Sequence, residues 1–258
     1  MSGEVLVAAA IAVGVLMIVA WLVSLTMEDA SIVDLIWGLG FAIVAWVSLA
    51  TIDGSGPRGW LLVALTTVWG LRLSIHLARR NLGHGEDFRY QEMRAKAPDS
   101  FWWKSLFVVF LLQGALMWVV SLPVQIGQLP PGRPLGLLDL LGGAVWVIGF
   151  SFETVGDLQL SRFKADPANK GRVLDSGLWR YTRHPNYFGD FMVWWGLYVI
   201  AVGGGAWWTV VGPILMSVLL IRVSGVRLLE TTIGRRRPGY DKYVRRTNAF
   251  FPGPRKSN

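Results

Sequence analysis

Apolar residues dominate this chain in long runs that short polar segments separate. Seven runs are about 20 residues long, at roughly 5–26, 32–52, 59–78, 105–125, 135–156, 187–203 and 206–223. A run of that length crosses the hydrocarbon core of a bilayer as one α-helix. The pattern predicts an all-α, polytopic integral membrane protein with about seven transmembrane helices, forming a single domain over residues 1–258.

The composition narrows the class of protein. Hydrophobic residues make up 53% of the chain and charged residues 16%, which excludes an ordinary soluble domain. The chain has no cysteine, and its three histidines are scattered, so we predict no metal site. The net charge of +8 does not indicate nucleic-acid binding, because the cations flank apolar runs and no motif for such binding is present.

The positive charges predict an orientation. Of the 25 lysine and arginine residues, 22 lie in segments 79–104 and 158–186 and in the tail from Arg222. With seven spans these segments share one side of the membrane, which the positive-inside rule makes the cytoplasm. The first run follows Glu4 without a basic leader, so we interpret it as a retained helix. We expect a bacterial inner-membrane protein with a cytoplasmic C-terminus.

The polar segment at 177–190, GLWRYTRHPNYFGD, stands directly before an apolar run. A cationic segment at the mouth of a membrane helix can hold an anionic cofactor. Asn186 and Asp190 are one helical turn apart on the same face, where they offer donors and acceptors to a carboxamide. The alternatives are a basic loop that contacts lipid phosphates and an Asn186 that only caps the helix.

Two acids end the fifth apolar run in the segment FETVGDLQLSRFK. Glu153 and Asp157 are four residues apart and share one helix face. Acids at membrane depth are costly and usually serve a function. The alternative is that they pair with Arg162 or Lys164 at the interface.

The motif RHPNYFGD resembles the signature of the membrane steroid 5α-reductases and sterol reductases, which reduce C=C bonds with NADPH. RYTRHPNY is also similar to the isoprenylcysteine-type methyltransferases, which share that membrane fold and use S-adenosylmethionine. The Asn186 and Asp190 pair favours the reductases. The resemblance implies NADPH-dependent reduction of a 3-oxo-Δ4 steroid or a similar apolar enone that enters from membrane lipid, with no obligatory protein partner. A methyltransferase and a lipid-binding protein without chemistry are the alternatives.

By this resemblance, residues 1–130 supply the substrate pocket and residues 135–258 bind the cofactor. Lys164 and Arg172 match phosphate-binding positions, Arg227 could reach the 2′-phosphate, and tyrosine rings of the tail could stack on adenine. The alternative for the tail is a basic helix on anionic lipid. The predicted cofactor-binding residues are Arg72, Glu153, Asp157, Arg162, Lys164, Arg172, Tyr181, His184, Asn186, Asp190, Arg227, Glu230, Tyr240, Tyr243 and Arg246.

Steroid 5α-reductases use a Glu on the second helix and a Tyr on the third to polarise the 3-oxo group. Glu28, in MEDAS, aligns with that Glu, and Asp34 competes with it about 9 Å deeper along the helix. We rank Glu28 ahead, although either acid could instead cap the second helix or pair with Arg72. The third run has no Tyr, since Trp69 stands near the expected place, so His76 is a further candidate donor.

The charge pattern makes a testable prediction about topology. Alkaline phosphatase fused after Asn258 should be inactive in cells, because that enzyme works only on the outer side. A green fluorescent protein fused at the same position should fluoresce. An active phosphatase fusion would contradict the seven-span orientation.

Overall fold

The computed structural model describes residues 1–83, 85–129, 132–223 and 239–256. Five of its helices are long and apolar enough to cross a membrane. They are α1 (Ser2–Met27), α2 (Ile32–Thr51), α3 (Pro57–Asn81), α5 (Phe101–Val120) and α7 (Leu137–Ala165). The prediction of an all-α, polytopic membrane protein is therefore confirmed.

The last two predicted runs form shorter helices. The run at 187–203 lies within α8 (Pro185–Gly203), which has 19 residues. The run at 206–223 forms α9 (Trp207–Val223). The described chain also contains three short α-helices, α4 (Phe88–Lys96), α6 (Leu122–Ile126) and α10 (Tyr240–Arg246), and short 3-10 helices at Pro167–Asn169 and Gly177–Arg180.

Both basic segments that lie between predicted apolar runs contain helical residues. Segment 79–104 holds α4, which begins after Asp87, whose side chain accepts the backbone N–H of Arg89 as a helix cap. The fifth run continues past its predicted end at 156 to Ala165. Lys164 and Arg162 therefore lie on the same helix as Glu153 and Asp157.

Residue contacts divide the chain into two compact units. The first unit contains Met1–Asp139 and Ile200–Gly212, and the second contains Leu140–Val199 and Pro213–Asn258. The predicted division of roles between 1–130 and 135–258 stays a prediction.

The first unit depends on close helix packing and on one buried ion pair. A Cβ atom on Gly38 of α2 would lie 3.0 Å from the carbonyl carbon of Gly70 on α3, so side chains are excluded where these helices meet. Arg58 at the start of α3 binds Asp139 through two bonds of 2.7 and 2.8 Å, and both residues are buried. Removing either partner would leave an uncompensated buried charge.

The second unit depends on a glycine contact between α7 and α8. A Cβ atom on Gly149 would lie 2.6 Å from the carbonyl oxygen of Gly189, and one on Gly196 would lie 2.7 Å from the backbone nitrogen of Trp146. Small residues let helix backbones approach closely within a membrane. We call this contact the glycine crossing.

The glycine crossing makes a testable prediction. Gly149→Ala should lower the free energy of unfolding in detergent by about 1–3 kcal/mol, because the added methyl group overpacks the contact. Gly143→Ala on the same helix is the matched control, since a Cβ atom there meets nothing within 4 Å. The control should be neutral or slightly stabilising. Equal stability of the two variants would show that the crossing is looser than described.

Candidate functional site

The first turn of α8 carries the Asn186 amide to a carboxylate of α7. Asn186 Nδ2 donates to Asp157 Oδ1 at 3.0 Å, and Asn186 Oδ1 accepts the backbone N–H of Tyr187 at 3.1 Å. The carbonyl oxygen of His184 accepts the first helical bond, from the nitrogen of Phe188 at 3.0 Å. His184 therefore occupies the capping position of α8, and the Asn186 amide is directed towards α7.

Three carboxylates are buried on the same two helices. The exposed fractions of Glu153, Asp157 and Asp190 are 3%, 6% and 9%. Buried carboxylates need bonds that compensate for the loss of water, and Asp157 obtains one from Asn186. We call Glu153, Asp157, Asn186 and Asp190 the polar quartet.

The glycine crossing brings the polar quartet together. A Cβ atom on Gly189 would lie 2.7 Å from the Cα atom of Glu153, and one on Gly156 would lie 3.2 Å from the backbone nitrogen of Asn186. The backbones of α7 and α8 thus touch beside each polar residue. Because no side chain separates the helices there, the amide of Asn186 reaches the carboxylate of Asp157, and Glu153 and Asp190 lie beside the same contact.

Arg183 of the RHPNYFGD motif has a structural role that the sequence analysis did not predict. Its Nη1 donates to the carbonyl oxygens of Val244 and Thr247, both at 3.0 Å. These carbonyls lie at the C-terminal end of α10, where a cation is favourable. The arginine therefore anchors the tail to the motif.

After α10 the tail, residues 247–255, runs beside the motif and forms hydrogen bonds with it. Thr182 Oγ1 donates to the carbonyl oxygen of Phe250 at 2.7 Å. The nitrogen of Gly253 donates to the carbonyl oxygen of Tyr181 at 3.1 Å. These bonds satisfy backbone groups on both segments and fix the approach to α8.

The tail tyrosines are buried. The Tyr243 hydroxyl donates to the carbonyl oxygen of Trp179 at 2.6 Å, and its ring lies 5.9 Å from that of Tyr240. Burial, together with the neighbouring Tyr240, raises the pKa of Tyr243. Arg246 follows on the same short helix and is half-buried. Stacking of these rings on adenine stays a prediction.

The remaining predicted cofactor residues of the second unit differ in exposure. Arg162, Lys164, Arg172 and Tyr181 are exposed. His184 is buried, and its ring stacks on Tyr187 with centroids 5.8 Å apart. Arg227 and Glu230 lie outside the described residues. Exposed cations suit either cofactor phosphates or lipid phosphates, so both interpretations stay open.

The two candidate acids of the first unit have different surroundings. Glu28 is exposed and ends α1 with a left-handed φ of 52°. Asp34 lies in the first turn of α2 and accepts two side-chain bonds. Arg89 Nη2 donates to its Oδ2 at 2.7 Å, and the Tyr90 hydroxyl donates to its Oδ1 at 2.9 Å.

Tyr90, which bonds to Asp34, is not among the site residues predicted from the sequence. The resemblance implied a tyrosine on the third helix, whereas Tyr90 lies on α4, beyond the end of α3. Trp69, at the expected place, is fully buried against Phe41. The signal was the run GEDFRY at 85–90, where acids, an arginine and a tyrosine cluster in a segment we had treated only as basic.

The segment around α4 is fastened to the corner between α1 and α2. The nitrogen of Ala30 donates to Glu86 Oε1 at 2.8 Å, and the nitrogen of Asp87 donates to Ser31 Oγ at 3.0 Å. Arg94 also donates to Glu86 Oε1, at 2.8 Å. These bonds position Tyr90 before any ligand binds.

Arg72 and His76 lie one turn apart on α3, and both are half-buried. They belong to the first unit. Their predicted roles in cofactor binding and proton donation stay predictions.

The helices and the buried acids define a polytopic α-helical membrane protein with polar sites inside it. Residues 20–247 match the family described as "Protein of unknown function (DUF1295)", and the chain belongs to this family. The chain is 25% identical over 265 residues to "Uncharacterized protein C594.04c" of Schizosaccharomyces pombe. The aligned region covers 91% of this chain and 76% of that protein. No solved structure matches the chain.

Proposed function

We propose that this protein is an NADPH-dependent reductase that reduces the C=C bond of an apolar enone, such as a 3-oxo-Δ4 steroid. The observation that carries the proposal is the Asn186–Asp157 bond inside the glycine crossing. A primary amide bonded to a carboxylate between α7 and α8, with two further buried carboxylates on these helices, can recognise the donors and acceptors of a nicotinamide carboxamide. The resemblance of RHPNYFGD to steroid 5α-reductases supports the same conclusion.

The residues present fit a dinucleotide with three phosphates. The polar quartet would orient the carboxamide, and the exposed cations Arg162, Lys164 and Arg172 would face the phosphates. When bound, NADPH supplies a hydride.

The substrate end of the reaction needs a donor for the ketone oxygen. Tyr90 carries a hydroxyl that α4 holds beside Asp34 at 2.9 Å. A donor already positioned at the carbonyl lowers the cost of the negative charge that develops there. Because Arg89 also binds Asp34, the carboxylate keeps a cationic partner when Tyr90 turns towards a ketone. We therefore propose Tyr90, supported by Asp34, as the polarising donor, and no longer favour Glu28.

The cofactor assignment predicts a loss of activity with retained folding. Asn186→Ala and Asp190→Ala should each lower the turnover of an apolar enone about 100-fold, because the carboxamide is no longer oriented. NADPH consumption and the saturated product are measured together in detergent. Asn81→Ala, at the end of α3, is the control for a lost asparagine and should keep normal turnover.

A second measurement distinguishes NADPH from the alternative cofactor, S-adenosylmethionine. Wild-type protein should bind NADPH in neutral detergent and should leave S-adenosylmethionine unbound. Binding of S-adenosylmethionine alone would reject the reductase in favour of a methyltransferase. Binding of neither would favour a lipid-binding protein.

The donor assignment predicts a different pattern. Tyr90→Phe should lower kcat by about 10²- to 10⁴-fold, the usual effect of removing a positioned acid. Asp34→Asn should also lower kcat, because the uncharged amide cannot neutralise the positive charge of the Arg89 guanidinium. Glu28→Gln should retain normal turnover, and all three variants should bind NADPH with unchanged Kd. Full activity of Tyr90→Phe would show that another group donates, with His76 the next candidate.

A further inference from the structure

The Tyr90 oxygen has a second polar neighbour that no step above uses. Gln113 on α5 donates its Nε2–H to that oxygen at 3.2 Å. Tyr90 is 5% exposed, so its ring is largely shielded from solvent. The Tyr90 hydroxyl thus donates a hydrogen bond to Asp34 and accepts one from Gln113.

The packing of α5 explains why Gln113 points away from α1. The next residue, Gly114, packs on α1, since a Cβ atom there would lie 2.9 Å from Met17 Cγ. One residue along a helix turns the side chain by about 100°, which directs Gln113 to a different neighbour. A π-helical stretch, Leu106–Leu111, precedes it directly, and such stretches often occur at functional sites.

The charges around Tyr90 oppose one another. Burial and the Asp34 carboxylate raise the pKa of Tyr90 well above its usual value, and the Arg89 guanidinium and the bond from Gln113 offset only part of that rise. Arg89 lies 5.3 Å from the centre of the tyrosine ring. A buried phenolate would be costly without such partners, and Gln113 is the neutral one that bonds directly to the oxygen.

We propose that Gln113 is a positioning residue for Tyr90, stabilising the phenolate that remains when the tyrosine gives up its proton. This inference rests on the proposed function. When bound, NADPH would supply the hydride that reduces the β-carbon of the enone and would be released as NADP⁺, and the substrate would then be an enolate. The Tyr90 O–H bond then breaks as an O–H bond forms on the enolate oxygen, and the enol tautomerises to the saturated ketone. Water returns a proton to Tyr90.

A titration that needs no turnover tests the contact. 3-Nitrotyrosine is introduced at position 90, and its ionisation is followed by visible absorbance in detergent. Gln113→Met removes the donor and keeps the side-chain length, so the pKa of the nitrophenol should rise by about 0.5 to 1. Gln125→Met is the control for a glutamine exchanged for methionine in the same unit, because the Gln125 amide bonds to Ser121 and Trp118 instead. An unchanged pKa in Gln113→Met would overturn the proposal.

The catalytic part of the inference has its own readout. In unlabelled protein, Gln113→Met should lower kcat with little change in KM, and the dependence of kcat on pH should differ from that of wild type. A purely structural role would lower the amount of folded enzyme without altering the pH profile, and that result would also overturn the proposal. If the wild-type protein reduces no enone, the proposed function fails, whereas the titration still decides whether Gln113 stabilises the phenolate.

Discussion

The close approach of α7 and α8 at the glycine crossing is the constraint on which the second unit depends. Gly149 and Gly189 let the backbones touch, and a Cβ atom on either would collide with the opposite helix. This contact sets the separation at which the Asn186 amide reaches Asp157. Larger residues would part the helices and break the bond from the half-buried Asn186 amide, leaving the buried Asp157 carboxylate without that donor, which is costly.

Three buried or partly buried carboxylates in the two units have a specific partner within their own unit. Asp157 has the Asn186 amide, Asp139 has Arg58, and Asp34 has Arg89. The Arg58–Asp139 pair joins the starts of two helices, which is a structural role. The Asp34 pair differs because a tyrosine hydroxyl shares the carboxylate, so one bond can be exchanged while the charge stays balanced.

The RHPNYFGD motif combines structural and chemical roles within a few residues. Arg183 anchors α10, His184 caps α8 and Asn186 reaches across to α7. A cation in such a motif is therefore poor evidence for phosphate binding by itself. Backbone carbonyls at a helix end are as good a partner for a guanidinium as a phosphate, and the two cannot be distinguished from spacing alone.

The sequence by itself determined the membrane class and most of the helices, because run length and apolarity act locally along the chain. It also placed Glu153 with Asp157, and Asn186 with Asp190, since positions four apart share a helix face. Only the tertiary structure decided which faces meet. Asp34 and Tyr90 are 56 residues apart, and their bond depends on a short helix folding back onto the corner between α1 and α2. No local pattern encodes that return, so the sequence could not show that Arg89 and Tyr90 both bond to Asp34.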